Sequence, residues 1–312
     1  MKEFSNSLGL LNEKYIIKEK LGEGACSTVY KVQDMSTNKE YAAKVVEHYC
    51  KNEYQINKKL SELQNPYIIQ LIEFSQGTIK IGNSQDYKAY YIFELANKGE
   101  LTNYLGGNNK GFSEIHTKYI IYDILKGFQE IHNAEICHRD IKTENILLSS
   151  DDYKIKICDF GFSSNTSELL EGKYGTQYYM APEIIMGKEY DGIKADIFSL
   201  GVLLFNIRTN KFIFDKAKVT NNKNNPTKYD YIKQRNEKIW KLNNIYDLSQ
   251  DFKELYLSMV AFNPKERPTI QQILDGPWMQ GIINLSESDF IKIKKEVINE
   301  FKQREKKCNF KE

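Results

Sequence analysis

The pattern of apolar and polar positions changes from strand-like to helical about one third of the way along the chain. The first third holds short runs rich in β-branched and aromatic residues, separated by polar turn segments, and each run predicts a strand. These runs are KYIIKEKLGEG (14–24), STVYKVQD (27–34), KEYAAKVVEH (39–48), YIIQLIEFSQG (67–77) and AYYIFEL (89–95). A single helix is predicted between them, from about residue 52 to 63, because Ile56, Leu60 and Leu63 recur at helical spacing.

Beyond Glu100 the helical signal dominates. A run that begins at Ser113 predicts an amphipathic helix of about five turns. The most apolar stretch, residues 197–207, is too short to span a bilayer and predicts a buried helix. A strand-rich front and a helix-rich back predict an α+β fold in two lobes. We therefore expect an N-terminal extension at 1–14, an N-lobe over about 15–96, a C-lobe over about 100–279, and a C-terminal tail with a helix at 280–312.

Composition excludes several classes of protein. The 312 residues, 41% hydrophobic and 28% charged, fit an ordinary globular protein, and a net charge of +2 does not indicate nucleic acid or an anionic membrane as the main partner. The five cysteines lack paired spacing, which argues against a disulfide framework or a zinc site and favours a reducing compartment. The N-terminus has no apolar segment typical of a signal peptide. We expect a cytoplasmic protein, with the nucleus as the alternative.

A glycine-containing loop, LGEGACSTV (21–29), lies between two predicted strands. Gly22 and Gly24 would let the backbone approach a phosphate closely, with successive N–H groups directed at it. Alone this signal is weak, since G-x-G is commonly a hairpin turn. The strand on either side argues against a dinucleotide-binding loop, which leads into a helix.

Lys44 interrupts an apolar strand at a distance from this loop that suits a phosphate-binding lysine. A surface lysine on an edge strand is the plain alternative. A phosphate-binding lysine needs a carboxylate partner, and Glu53 is favoured because it would share a helix face with Ile56. Glu47 and Glu62 are the other candidates.

The segment HRDIKTENILL (138–148) places a base, two cations and an amide just before an apolar strand. Asp140 can orient an attacking hydroxyl and accept its proton. Lys142 can neutralise charge on a phosphate, and the amide oxygen of Asn145 suits a hard metal ion. Asp159, in Asp-Phe-Gly, follows the next strand at the spacing expected of a second metal ligand.

Together these motifs resemble the eukaryotic protein kinase domain of the serine/threonine type, and the likeness extends over residues 15–279. Within that family the chain is most similar to the calcium/calmodulin-dependent group. The resemblance implies a small lobe with a five-stranded antiparallel sheet and one helix, a larger helical lobe, and ATP in the cleft between them. It also implies an ion pair between Arg267 and Glu183.

The resemblance further assigns the site. It implies a catalytic set of Asp140, Lys142, Lys44, Glu53 and Thr176, with Thr176 hydrogen-bonded to Asp140, and the metal ligands Asn145 and Asp159 for Mg²⁺ or Mn²⁺. It implies that ATP is bound by Leu21, Gly22, Gly24, Val29, Ala42, Lys44, Phe93, Glu94, Ala96, Glu100 and Leu147. Phe93 would be the gatekeeper, residues 94–96 the adenine hinge, and Glu100 the ribose contact.

The type of reaction has one alternative. Lys142 and the Gly175–Thr176 pair resemble the serine/threonine pattern, and we expect protein substrates with serine or threonine acceptors. A pseudokinase or scaffold on the same fold is the alternative. Only eight residues separate Lys44 from Glu53, about half the interval usual in the family, so we expect the first turns of the helix to be missing or rearranged.

Two regulatory hypotheses follow from the resemblance. Arg139 would hold a phosphate on the activation segment, where Thr166 and Ser167 are favoured over Ser163, Ser164 and Tyr174 as autophosphorylation sites. For any single one of these residues, an ordinary loop position is the favoured alternative. The predicted tail helix, 286–307, is basic and carries apolar residues at helical spacing. It could bind calmodulin or block the cleft, but a helix packed on the large lobe is the favoured interpretation.

Overall fold

A computed structural model describes residues 7–106, 110–220 and 225–309 and separates the chain into two compact units, Met1–Asn97 (unit 1) and Lys98–Glu312 (unit 2). Unit 1 contains β1 (Gly9–Leu11), β2 (Tyr15–Glu23), β3 (Ser27–Asp34), β4 (Glu40–Val46), α1 (Lys51–Glu62), β5 (Leu71–Ile81) and β6 (Ser84–Glu94). Unit 2 contains α2 (Thr102–Leu105), α3 (Glu114–Asn133), β7 (Ile136–Cys137), β8 (Ile146–Ser149), β9 (Lys154–Ile157), β10 (Ser164–Asn165), α4 (Pro182–Ile185), α5 (Gly192–Thr209), α6 (Lys228–Lys233), α7 (Lys238–Leu242), α8 (Gln250–Met259), α9 (Ile270–Asp275), α10 (Pro277–Ile283) and α11 (Glu287–Asn309).

The strands of unit 1 form a closed antiparallel barrel in the order β1-β2-β3-β4-β6-β5. All five strands expected from the family resemblance are present, and β1 is an addition. It falls in the segment predicted as an N-terminal extension, whose residues 1–6 lie outside the described part of the chain. A Cβ at Gly9 would lie 1.8 Å from the backbone oxygen of Lys80, so a glycine lets β1 approach β5 closely. Three residues are too few to give a periodic signal.

Alternation along the strands separates the two faces of the barrel. Ala43, Val45 and Ile92 point inward and join a buried apolar cluster that also contains Tyr15, Ile17 and Val32. Val46 and Tyr91 belong to a second cluster on the outer face, where Tyr54 of α1 packs. The outer face therefore carries the residues at even positions of β4, which include Lys44.

Unit 2 is built around α5, which is buried along nearly its whole length, as predicted from its apolar sequence. The Asp191 side chain accepts a hydrogen bond from the Lys194 N–H at the start of this helix, and Asn210 ends it in a left-handed conformation. The predicted amphipathic helix is α3, capped by the Ser113 hydroxyl. The expected ion pair forms, with Nη1 of Arg267 2.6 Å from Oε1 of Glu183, and both side chains are buried.

The tail forms a long helix, α11, that packs against α2 and α3, as the favoured interpretation of the sequence predicted. Val297 and Phe301 are buried, and the ring of Phe290 lies against Tyr119, 5.4 Å between centroids. Within the described ranges, none of the helices has the length and apolar character that crossing a bilayer requires.

Candidate active site

Four of the expected site residues of unit 1 lie on one face of the barrel. Gly22 pairs with Val29, Val29 pairs with Lys44, and the pairing continues from Ala42 to Phe93. Directly paired residues in adjacent strands point to the same side of a sheet, and so do residues two apart in one strand. Val29, Ala42, Lys44 and Phe93 therefore share the outer face.

The loop between β2 and β3 is open around its glycines. A Cβ on Gly22 would meet nothing within 4 Å, and one on Gly24 would only touch Ser27 at ordinary contact distance. The Gly24 N–H donates to the Ser27 carbonyl at 2.8 Å, which fixes the turn. Leu21, at the entrance of the loop, is 46% exposed. The loop thus leaves space beside its backbone, as a phosphate cover requires.

Lys44 and Glu53 form an ion pair, with 2.7 Å between Nζ and Oε1. Their side chains are 15% and 9% exposed, so the pair is largely screened from solvent. Helix α1 begins at Lys51, which puts Glu53 in its first turn, where the helix dipole favours a negative charge. Because the helix starts only two residues before Glu53, the short segment between Lys44 and Glu53 still allows the ion pair to form.

The expected hinge residues, 94–96, begin at the end of β6. Glu94 is its last residue, its N–H donates to the Gln70 carbonyl, and its Oε1 accepts from the Gln70 N–H at 3.0 Å. Ala96 lies beyond the end of the strand and is partly exposed. The Phe93 ring stacks on the Tyr91 ring, with 6.0 Å between the ring centroids.

In unit 2 the Asp140 carboxylate is the centre of the site. The Lys142 Nζ donates to Oδ2 at 2.7 Å, the Thr176 Oγ1 donates to Oδ1 at 2.8 Å, and the Asn145 Nδ2 lies 3.2 Å from Oδ2. Asp140 is 4% exposed. Two neighbours in the same segment and one distant residue, Thr176, thus hold one buried carboxylate in a fixed orientation.

The backbone around Asp140 is strained and supported. Arg139 and Asp159 have left-handed φ values of 67° and 62°, which are uncommon for non-glycine residues. Asp196, fully buried at the start of α5, accepts the N–H groups of His138 at 2.7 Å and Arg139 at 2.9 Å. A Cβ on Gly175 would lie 2.3 Å from the Arg139 carbonyl, so only glycine allows Thr176 to come this close.

Asp196 is the site residue whose role the sequence did not reveal. Its carboxylate fixes the segment 138–140 across more than fifty residues of chain. The available signal was a charge at the edge of an otherwise apolar helix, because a fully buried carboxylate requires several hydrogen-bond donors.

The metal ligands expected from sequence have suitable chemistry. The Asn145 Nδ2 also donates to the Asp140 carbonyl at 2.8 Å, and this directs its Oδ1 to the opposite side. Asp159 lies two residues after the end of β9 and is exposed. Among the described residues no group of three or more His, Cys, Asp or Glu side chains forms a metal site. One carboxylate and one amide oxygen fit a divalent ion that completes its shell with water and phosphate oxygens.

The charges near Asp140 are tuned by their surroundings. Burial alone lowers the pKa of Lys142, but the Asp140 carboxylate outweighs it, with help from Glu144 and Asp159, and the pKa is raised. Lys142 therefore stays a cation. Burial raises the pKa of Glu100, and the negative charge of Glu144 adds to the effect.

Two further expected residues lie next to each other in unit 2. Glu100 forms an isolated antiparallel bridge with Leu147 of β8. Both are partly exposed, so their side chains are accessible to a ligand. The structure therefore places the expected ribose contact, Glu100, and the expected ATP-binding residue Leu147 on adjacent stretches of backbone.

The activation-segment candidates differ in exposure. Ser163 is 1% exposed and its hydroxyl donates to the His138 carbonyl, which disfavours it as a phosphate acceptor. Ser167 is exposed and Thr166 is partly exposed. The Arg139 guanidinium lies 4.5 Å from the Tyr174 ring centroid and its Nε donates to the Phe162 carbonyl. The arginine thus contacts the segment that carries these residues.

Comparison with known proteins agrees with the geometry. The family described as "Protein kinase domain" matches residues 15–279. The chain is 32% identical to calcium-dependent protein kinase 5 of Plasmodium berghei over 94% of its length and 51% of that protein. It is 28% identical to serine/threonine-protein kinase PLK4 of Xenopus laevis over 90% of its length and 29% of that protein, and 30% identical to serine/threonine-protein kinase SIK1 of Mus musculus over 88% and 34%. The chain spans about half or less of the length of these relatives.

Proposed function

Since the chain belongs to the protein kinase domain family, we propose that it transfers the γ-phosphoryl group of ATP to serine or threonine hydroxyls of protein substrates. The observation that carries the proposal is the Asp140 carboxylate, held at once by Lys142, Thr176 and Asn145. A kinase requires one oriented carboxylate beside a cation and a metal ligand, and this arrangement supplies all three.

The chemistry follows from these contacts. The acceptor hydroxyl oxygen forms a bond to the γ-phosphorus while the bond from that phosphorus to the β,γ-bridging oxygen breaks and its electrons leave with ADP. Asp140 orients the hydroxyl and takes its proton. Lys142 neutralises the charge that spreads over the phosphoryl oxygens. Thr176 and Asn145 restrict rotation of the carboxylate, so little reorganisation is needed when the acceptor binds.

The nucleotide and its metal are assigned to the residues that fit them. In unit 1, Lys44 would neutralise phosphate charge, with Glu53 fixing its position. In unit 2, Asn145 and Asp159 would hold Mg²⁺, with Mn²⁺ as the alternative, and the ion would neutralise phosphate oxygens when bound. The pseudokinase alternative has no supporting observation, because the chain retains the residue types that catalysis requires at Lys44, Asp140 and Asp159.

The test is phosphate incorporation. Purified protein with Mg²⁺, labelled ATP and a mixture of basic and acidic protein substrates is expected to give phosphoserine or phosphothreonine, whereas an Asp159→Ala variant gives none. Phosphotyrosine alone would overturn the acceptor assignment. No incorporation with Mg²⁺ or Mn²⁺, while labelled ATP still binds, would favour the pseudokinase alternative.

Calmodulin binding or autoinhibition by the tail is the less favoured proposal. Val297 and Phe301, the apolar residues that calmodulin would bind, are already buried within unit 2. We therefore expect calcium and calmodulin to leave the activity unchanged. A calcium-dependent change in activity would show instead that α11 leaves its position. Cytoplasmic location, with the nucleus as the alternative, is also part of the proposal, and a fluorescent fusion tests it.

A further inference from the structure

The first residues of unit 2 run beside β8 as an added strand. The Lys98 N–H donates to the Leu148 carbonyl at 2.9 Å, the Leu148 N–H donates to the Gly99 carbonyl at 2.8 Å, and the Leu101 N–H donates to the Ile146 carbonyl at 2.8 Å. Within this ladder Glu100 pairs with Leu147 of β8. The position of the proposed ribose contact therefore depends on where the backbone of residues 98–101 lies.

Three residues of α11, Phe301, Arg304 and Glu305, contact this backbone segment and its neighbours, and we name them the tail anchor. The Glu305 carboxylate accepts hydrogen bonds from the Lys98 Nζ, 3.4 Å away, and from the Tyr153 hydroxyl. The Lys98 Nζ also lies 5.2 Å from the Tyr153 ring centroid. A charge on the tail thus fixes the side chain of the first residue of unit 2.

The aromatic part of the tail anchor holds the same segment from a second side. The Phe301 ring stacks on Tyr153 at 5.3 Å and meets Tyr104 edge-on at 5.2 Å. The Tyr104 hydroxyl donates to the Lys98 carbonyl at 2.7 Å. The Arg304 Nη1 donates to the Tyr104 carbonyl at 2.9 Å, and this hydrogen bond fixes the backbone of the tyrosine that binds the Lys98 carbonyl.

Burial shows that this contact is a built interface. Phe301 is 2% exposed and Arg304 is 6% exposed, and the partners Tyr104 and Tyr153 are 3% and 4% exposed. A guanidinium is buried only where its donors are satisfied, and Arg304 reaches carbonyls of Tyr104 and Lys110 as well as Glu300. Loss of the tail anchor would leave both tyrosines and the Lys98 carbonyl in a looser environment.

We propose that the tail anchor is a set of positioning residues for ATP: it holds residues 98–101 against β8 and so keeps Glu100 and Leu147 arranged for the nucleotide. The proposal rests on the proposed function, because Glu100 and Leu147 are nucleotide contacts only if the site binds ATP. A helix that only inhibits would raise activity when loosened, whereas a positioning helix weakens ATP binding when loosened. The affinity for the peptide substrate should not change.

The variants are Phe301→Ala, which removes the stacked ring, and Glu305→Gln, which removes the charge opposite Lys98. The matched control is Phe290→Ala, which removes an aromatic contact of the same helix to Tyr119, in α3. Phe301→Leu, which retains an apolar side chain of similar size, should restore much of the function. Far-ultraviolet circular dichroism and thermal melting verify that each variant is folded.

The first readout is amide hydrogen exchange of Lys98, Leu101 and Leu148, which needs no catalysis. Phe301→Ala is expected to speed exchange at these amides, and Phe290→Ala is not. The second readout is the ATP dissociation constant with the KM values for ATP and for a peptide. If the competent arrangement falls to about one fifth or one tenth of the population, the ATP constants rise about fivefold to tenfold while the peptide KM stays unchanged.

The outcomes separate the two proposals. A wild-type protein without kinase activity refutes the proposed function, and the exchange rates still test the tail anchor. An active wild type whose Phe301→Ala variant shows unchanged exchange, unchanged ATP affinity or higher activity refutes the positioning role. Equal loss of ATP affinity in Phe290→Ala would also refute it, because general loosening of the helix would then explain the effect.

Discussion

At the scale of single residues, the candidate site depends on one carboxylate and on the groups that restrain it. Asp140 is buried, yet each of its oxygens has a donor, so its charge is compensated without being exposed to solvent. Gly175 shows how a residue without a side chain contributes, because any Cβ there would collide with the Arg139 carbonyl. The chemistry thus depends on local backbone conformations that cost energy and are stabilised by neighbours such as Asp196.

Replacement of Asp140 by asparagine should abolish most of the catalysis. Asparagine keeps the shape but cannot accept the hydroxyl proton, so we expect kcat to fall about 10²- to 10⁴-fold. The ATP dissociation constant should change little, since the proposed role concerns the acceptor. Steady-state kinetics and ATP titration measure the two effects. Unchanged kcat would remove Asp140 from the catalytic role.

Thr176→Ala should lower kcat while the Asp140 carboxylate remains, because the variant loses the 2.8 Å hydrogen bond that orients Oδ1. We expect a fall of about tenfold, the equivalent of about 1.4 kcal/mol, the order of one hydrogen bond to a charged group. Thr176→Ser keeps the hydroxyl and should retain activity near the wild-type level. Equal loss in both variants would show that the threonine methyl group, and not the hydrogen bond, is what matters.

At the scale of elements, the starting points of two helices determine which residues meet. Helix α1 begins just before Glu53, and this short approach still reaches Lys44 on the outer face of β4. Helix α11 is held along its length by separate groups of contacts, which include the tail anchor and a pair between His116 of α3 and Glu300. Each element therefore carries a charge whose removal has a local and measurable effect.

Glu53→Gln should weaken phosphate binding through Lys44. The amide keeps the size of the side chain but removes the negative charge 2.7 Å from the largely buried ammonium, and we expect kcat/KM for ATP to fall about tenfold or more. The matched control is Glu62→Gln, an exposed glutamate of the same helix. A larger loss in Glu62→Gln would reassign the partner of Lys44.

The contact between His116 and Glu300 should make docking of α11 dependent on pH. The hydrogen bond to Glu300 raises the pKa of His116 above its ordinary 6.5, and Glu296 also contributes. Burial alone would raise the pKa of Glu300, but hydrogen bonds from His116 and Arg304 outweigh it, and the pKa is lowered from 4.5.

A raised histidine pKa stabilises the fold fully below 6.5 and loses that effect as pH rises through the folded value. A lowered glutamate pKa stabilises it above 4.5 and loses that effect as pH falls through the folded value. The difference in thermal midpoint between wild type and His116→Gln should therefore be largest between these values and shrink as pH rises. A pH-independent difference would contradict this account.

At the scale of the whole molecule, unit 2 is joined by ion pairs between distant segments. Arg267 makes two bonds to the Glu183 carboxylate, at 2.6 and 2.8 Å, and also reaches the carbonyls of Ala261 and Lys194. The pair connects the segment after α8 to α4. Since both partners are buried, removal of either leaves an uncompensated charge.

Arg267→Met should destabilise the protein by about 3–5 kcal/mol, because Glu183 is then buried without its partner. Urea denaturation followed by tryptophan fluorescence measures the change. The control is Glu237→Gln, which disrupts a pair with Lys253 at 4.0 Å in which the glutamate is 63% exposed, and which should cost less than about 1 kcal/mol. Equal costs would show that burial does not determine the strength of the Arg267 pair.

The sequence by itself determined the elements whose signals are local. Strand runs, helix periodicity and the capping serine before α3 were predictable, because side-chain alternation and caps act over a few residues. Motifs such as HRDIKTEN and Asp-Phe-Gly identified the candidate residues from their chemistry and spacing. The sequence also favoured Glu53 over Glu47 and Glu62, since one helix face contains it together with Ile56.

Only the tertiary structure decided contacts between residues far apart in the chain. Closure of the barrel by β1, support of the catalytic segment by Asp196, and the approach of Phe301 and Glu305 to residues 98–101 have no local pattern. The physical reason is that long-range packing depends on which surfaces remain unburied after the elements form. Long-range packing is determined by the burial of apolar area and the hydrogen bonding of polar groups over the whole chain, so it cannot be predicted from any single segment.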